Sequence, residues 1–157
     1  MKVKMKKYIA LALLLSCYTN FATAGEQPKY QRITGENLQK VYSGQTMVGE
    51  YVTRQGGINH YKFTEYHDPD GTTDYIETDA DTVKGVWKII GGDKICYTYP
   101  GNSTFDKTYC FFVYENDGCY YSYALGQMTL NGPMSWDYWT SRAISKGSGN
   151  SCSAGVS

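Results

Sequence analysis

Five cysteines, two histidines and a run of seven carboxylates are the residues of this chain whose chemistry could carry a function. His60 and His67 lie seven apart, so on a regular strand they point to opposite faces and cannot share a metal without a bulge. The carboxylates are Glu65, Asp68, Asp70, Asp74, Glu77, Asp79 and Asp81, with no lysine or arginine among them. That density could bind calcium or supply an acid and a base. However, Asp68-Pro69-Asp70-Gly71 lacks the loop of an EF-hand and reads as a turn, which leaves a solvated acidic edge as the plainer reading. Nucleophilic catalysis would need a serine or cysteine beside a base, and no GxSxG elbow occurs. No catalytic residue, cofactor or metal site is therefore expected.

The cysteines point elsewhere. Lys2, Lys4, Lys6 and Lys7 precede an apolar run from Tyr8 to Ser16, and Ala22-Thr23-Ala24 has the small-x-small form of a signal-peptidase site. The run is shorter than the roughly 20 residues that a membrane span needs. Leu14-Leu15-Ser16-Cys17 also resembles a bacterial lipobox, so a lipid anchor at Cys17 is the alternative to cleavage after Ala24. Either route leaves Cys96, Cys110, Cys119 and Cys152, an even set that in an exported protein implies disulfides rather than zinc. The short lysine-rich start looks bacterial, which makes the periplasm the expected destination. Loss of residues 1–24 changes 15 basic against 15 acidic residues to 11 against 15, a net charge of −4. That balance argues against nucleic acid and against an anionic membrane surface as partners.

These residues sit in one domain of short elements. Residues 25–33 read as an extended leader. Thr34 is an N-cap candidate, and Leu38, Val41 and Tyr42 have helical spacing before Gly44, so a helix is expected over Gly35–Ser43. From Thr46 the period becomes alternating. Strands are expected at Thr46–Arg54, Asn59–Tyr66, Thr72–Thr78, Thr82–Ile90, Ile95–Pro100, Thr108–Asn116, Cys119–Leu125 and Trp136–Ile144. Gly91-Gly92 and Asp117-Gly118 are two-residue hairpin signals, and Pro100–Asp106 reads as a longer exposed loop. Residues 147–157 form a Gly/Ser-rich tail, tied back by its cysteine. The fold class expected is all-β: an antiparallel meander of about eight strands closing into a small barrel over residues 34–146, with one short helix at its start. A β-sandwich is the alternative.

A two-residue turn at Gly91-Gly92 would set Trp87 opposite Cys96, and a turn near Asn116-Asp117 would set Tyr114 opposite Cys119 and Phe112 opposite Tyr121. With Cys96 opposite Cys110, one face then carries Val83, Trp87, Ile89, Cys96, Cys110, Phe112, Tyr114, Tyr121, Tyr123 and Leu125, and that face is expected to be the core. Four cysteines allow three pairings, and this register favours Cys96–Cys110 packed beside Trp87, with Cys119 left for Cys152. The opposite face holds Lys84, Val86, Lys88, Tyr97, Tyr109, Phe111, Val113 and Tyr120. Its rings are either strand filler or a binding surface centred on Tyr97, Tyr109, Phe111 and Tyr120.

Ile33-Thr34-Gly35-Glu36-Asn37-Leu38, the Gly85-Val86-Trp87 strand, Cys96-Tyr97-Thr98-Tyr99 and a later cysteine followed by aromatics make a pattern. It resembles that of small exported proteobacterial proteins grouped as a domain of unknown function, calycin-like or lipocalin-like in layout, over Ile33 to Leu125. In lipocalins the G-x-W lies on the first strand; here it comes about four strands in. The resemblance implies a calycin-like barrel and carries no catalytic residue across. The expected function is a non-enzymatic exported barrel of a Gram-negative envelope that binds a small apolar ligand or an envelope protein. The alternatives are an inhibitor or envelope structural protein acting through the Pro100–Asp106 loop, and a small hydrolase using the 65–81 carboxylates.

Overall fold

The computed structural model describes residues 30–101 and 107–152. The expected export signal, Cys17, positions 102–106 of the long loop and the last five residues lie outside the described residues. The chain runs β1 (Gln31–Ile33), α1 (Gly35–Tyr42), β2 (Thr46–Thr53), β3 (Asn59–His67), β4 (Thr72–Glu77), β5 (Val83–Ile90) and β6 (Lys94–Thr98). It continues with β7 (Thr108–Asn116), β8 (Cys119–Ala124), a 3-10 turn at Leu125–Gln127, β9 (Met128–Thr129), β10 (Gly132–Pro133) and β11 (Ser141–Ser145). Each long strand pairs antiparallel with its predecessor from β2 to β8, β8 pairs with β11, and β11 returns to β2. Eight strands thus close a barrel, as the turn spacing predicts, and no sandwich forms. Closure removes the exposed edges that a flat meander would leave. The residues expected to be a leader end in β1, which lies along β7 at Val113–Glu115, just past the stretch that β6 covers.

The helix forms as its spacing predicts, one residue shorter than expected at its C-terminus. Thr34 takes the extended N-cap conformation but makes no side-chain cap. Instead the Gly35 N–H donates to the Gly92 carbonyl at 2.6 Å, which fastens the helix start to the β5–β6 turn. Leu38 and Tyr42 are buried and plug one end of the barrel against Met47, Trp87, Ile95 and Val113.

The β5–β6 turn corrects the expected register. Ile90 pairs with Lys94, so the loop is three residues long, with Gly91 and Gly92 at φ of 65° and 72°. Only glycine takes two successive left-handed conformations at little cost, so the Gly-Gly signal marks the turn but does not fix its length. The additional residue, Asp93, earns its place by pairing with Arg32 and Lys94. Trp87 consequently lies opposite Tyr97 rather than Cys96, and every residue from Ile95 onward exchanges faces.

Trp87 and Ile89 point into the barrel together with Ile95, Tyr97, Phe111, Val113 and Tyr120. Cys96, Cys110, Phe112, Tyr114, Tyr121 and Tyr123 point outward, and the expected core face is therefore wrong for them. They are nevertheless mostly buried, Tyr123 completely, because a second layer covers that side. The layer is made of Tyr30, the excursion between β8 and β11, and Cys152. Leu125, placed in the core by the expected register, lies in the 3-10 turn and is 71% exposed. The strand expected from Trp136 begins only at Ser141, since Trp136 instead stacks on Tyr30 and meets Tyr114 edge-on outside the barrel.

Both expected disulfides form. Cys96 joins Cys110 across β6 and β7, and Cys119 joins Cys152. The first lies on the outer face, not beside Trp87. The β7–β8 hairpin turns at Asp117-Gly118, with Tyr114 opposite Tyr121 and Phe112 opposite Tyr123. That is a shift of two residues from the expected pairing, which leaves the faces unchanged. At the β2–β11 seam a Cβ on Gly49 would come within 2.3 Å of the Arg142 carbonyl oxygen, so the strands close only around a bare backbone.

Candidate functional site

The register fixes which side chains the barrel encloses. The inward positions of its strands carry Glu65, Glu77, Glu115 and His67 but no lysine or arginine. The acidic run is thus split, and only part of it is a solvated edge. Asp74 points outward to Lys84, Asp70 caps its own turn through Thr72, and Glu65 and Glu77 enter the interior. His60 points outward to Glu50 and His67 inward, as their spacing requires.

Inside, Glu65 accepts hydrogen bonds from the Tyr99 hydroxyl at 2.5 Å and the Thr73 hydroxyl at 2.9 Å. His67 Nε2 shares a hydrogen with the Tyr97 hydroxyl at 2.8 Å and lies 3.8 Å from the other Glu65 oxygen. The His67 ring meets Tyr42, Trp87 and Tyr97 edge-on, and its Nδ1 has no partner among the described residues. Burial disfavours the charged form of each group. It pushes Glu65 up to about 7, against the pull of its two hydroxyl donors, and His67 down to about 4. Burial likewise raises the Tyr97 and Tyr99 hydroxyls, with Glu65 adding to both. Glu77, nearer the other end, accepts from Tyr51 and Tyr75 at 3.0 and 3.1 Å.

The enclosed pair makes a prediction about pH. An unfolded chain would ionise Glu65 from its ordinary 4.5, whereas the folded one holds the proton to about 7, so this group's contribution to stability falls as pH rises between those values. His67 works in the opposite sense. Its contribution is complete above 6.5 and is lost as pH falls toward 4. Where the windows overlap the slopes oppose each other. Urea midpoints of Glu65→Gln measured across that range should rise with pH, and those of His67→Gln should fall. Parallel slopes in the two variants would refute the assignment.

At the helix end a cleft of about 480 Å³ opens between α1 and the wall made by β1, β7, β8 and β11. Ile33, Val41 and Tyr120 give it an apolar floor, with Gln31, Asn37, Gln45 and Ser145 around them. Its charged members are Arg32, Lys40 and Glu115. Arg32 is held by Asp93 at 3.2 Å, and one Glu115 oxygen accepts the Gly118 N–H at 2.5 Å. Lys40 lines the cleft and makes no ion pair among the described residues.

Of the four residues expected to form a binding surface, only Tyr120 lines this cleft. Tyr97 is enclosed, Phe111 is half-buried facing inward, and Tyr109 sits near the opposite end, 49% exposed. They do not form one outer surface, because the register change turned their face inside. Arg32, Asn37 and Lys40 were not singled out from the sequence; the polar face of the predicted helix was the one available sign.

The fold and site together define a closed eight-stranded antiparallel barrel with a glutamate- and tyrosine-bearing interior and a cleft beside α1. Comparison of the chain with known protein families, characterised proteins and solved structures finds no match. Among the described residues no helix is long and apolar enough to cross a membrane.

Proposed function

We propose that this chain is an exported, non-enzymatic barrel of the bacterial envelope that holds a small ligand in the cleft beside α1. The cleft carries the reading. Its volume of about 480 Å³ lies within the range of small-molecule sites, and it joins an apolar floor to a few polar groups. Two disulfides support export, since such bonds persist in oxidising compartments. The basic start, apolar run and Ala22-Thr23-Ala24 site support a periplasmic destination, and the calycin-like layout supports ligand binding as the use of the barrel. The ligand that fits has an apolar body small enough for the floor of Ile33, Val41 and Tyr120 and a polar or anionic group for Lys40.

Native mass spectrometry of the protein purified from its own envelope tests this. The expected spectrum shows a retained mass beyond that of the chain. Asn37 is exposed on α1 and lines the cleft, so Asn37→Trp should displace that mass while leaving the unfolding midpoint within a degree or two. A native mass equal to the chain alone, or a ligand retained in Asn37→Trp, would remove the cleft from consideration.

A further inference from the structure

The excursion joining β8 to β11, Leu125 to Thr140, reads LGQMTLNGPMSWDYWT and carries a single charged residue, Asp137. Five of the twelve large apolar residues exposed among the described residues fall within it: Leu125, Leu130, Met134, Trp136 and Tyr138. The other seven are dispersed along four strands and a turn, as isolated surface apolar residues usually are. Leu130 is wholly exposed, at the tip of the β9–β10 hairpin, and Met134 is 66% exposed.

This display is built rather than frayed. The Thr129 hydroxyl donates to the Gly132 carbonyl at 2.8 Å across the hairpin, and the Met134 N–H donates to the Gln127 carbonyl at 2.9 Å. The Gln127 side chain in turn accepts from the Ala124 N–H and the Thr140 hydroxyl, which ties both ends of the excursion together. Trp136 is anchored by its stack on Tyr30 at 4.5 Å and by the Tyr123 hydroxyl on its carbonyl. A segment with this many fixed bonds could have turned its aliphatic side chains inward, yet it holds them in water. Persistent exposure of this kind marks a surface that something covers.

We infer that the excursion is a membrane-docking hairpin that inserts Leu130 and Met134 into the interface of an electrically neutral, zwitterionic lipid surface. Aliphatic groups at the tip with tryptophan and tyrosine behind them match the apolar-to-headgroup gradient of such an interface. The charge pattern selects the kind of lipid. The sixteen residues hold one acid and no lysine or arginine; of the two arginines packed on their base, Arg142 pairs with Glu50, and Arg54 lies over the Tyr138 ring and donates to the Trp139 carbonyl. The patch therefore offers an anionic headgroup no net positive charge, and a protein partner would ordinarily meet a more highly charged rim. The position also fits. Tyr30, through which the N-terminal residues join the barrel, stacks directly on Trp136, so the chain enters the fold at this same patch.

Sedimentation with phosphatidylcholine vesicles tests the assignment, using the protein as its host cell processes it. Wild type should partition onto the vesicles with an affinity that does not change between about 50 and 500 mM salt, because no ion pairing is involved. Leu130→Asp with Met134→Ser should weaken partitioning by about tenfold or more and leave the unfolding midpoint in place, since both side chains already face water. Any N-terminal anchor is common to both proteins and cancels in the comparison. Asn37→Trp should bind vesicles like wild type, which separates this surface from the cleft. The inference is overturned if the double variant binds as well as wild type, or if binding requires anionic lipid. It is equally overturned if wild type ignores vesicles but forms concentration-dependent dimers that the variant abolishes.

Discussion

Replacing Cys119 and Cys152 together by alanine should lower the unfolding free energy by about 4 kcal/mol, or the midpoint by about 10–15 °C. The bridge spans a sequence separation of 33, against 14 for Cys96–Cys110, and loop-closure entropy rises with the logarithm of loop length. The shorter bridge should therefore be worth less, about 3 kcal/mol. The difference widens for a structural reason. Cys96 and Cys110 sit opposite one another in a ladder whose neighbouring pairs, Ile95–Phe111 and Tyr97–Tyr109, hold the register without the sulfurs. Cys152 is the buried tail residue packed with Phe112, Tyr121 and Tyr123, and beyond Ser145 it is held by the disulfide and one isolated backbone bridge. Urea unfolding of the two double variants, read with matched m-values, gives both costs. A cost for Cys119/Cys152 no greater than for Cys96/Cys110 would mean that the outer layer holds itself in place. Hydrogen exchange in β8 should speed up only in the Cys119/Cys152 variant.

Much of this fold is legible in the sequence because its turns are. Asp68-Pro69-Asp70-Gly71 and Asp117-Gly118 end strands where they should, and the meander follows from strands too closely spaced for crossover helices. The faces were less legible. Gly91-Gly92 announces a turn, but Asp93 lengthens it by one residue for the sake of Arg32 and Lys94, and that partnership is invisible until β1 docks. No alternation was there to correct the error. β7 and β8 are covered on the outside by the β8–β11 excursion and on the inside by the barrel core, so both faces are aromatic and the sequence has no polar side.

The candidate site was harder still, for a related reason. In β3 the inward positions Phe63, Glu65 and His67 alternate with Lys62, Thr64 and Tyr66, so the polar count is nearly equal on both faces. Burial of Glu65 depends on the hydroxyls of Thr73 and Tyr99, supplied from β4 and the end of β6. Such a network is a tertiary fact. The cleft is one as well: Arg32 and Lys40 share it only because the Gly35 N–H fastens α1 to the carbonyl of Gly92, far along the chain.

Trp87→Ala should cost about 3–5 kcal/mol, lowering the midpoint by about 10–20 °C. The ring is 4% exposed beneath α1, meets His67 edge-on, and its indole N–H donates to the Asp68 carbonyl at 2.8 Å. Truncation would empty the space between the helix plug and the polar network and release the carbonyl that holds the β3–β4 turn. Trp87→Phe separates the two contributions. It keeps most of the apolar volume and loses the hydrogen bond, so a cost of about 1–2 kcal/mol is expected. The same residue tests the corrected register. If Trp87 packed beside the Cys96–Cys110 bridge, removing the bridge and the ring together would couple strongly. With the ring inside the barrel and the bridge outside, their costs should add to within about 0.5 kcal/mol. A larger coupling would return Trp87 to the face of the disulfide. With it would go the inward placement of Tyr97 and Phe111 and the enclosure of His67, because one register fixes all of them.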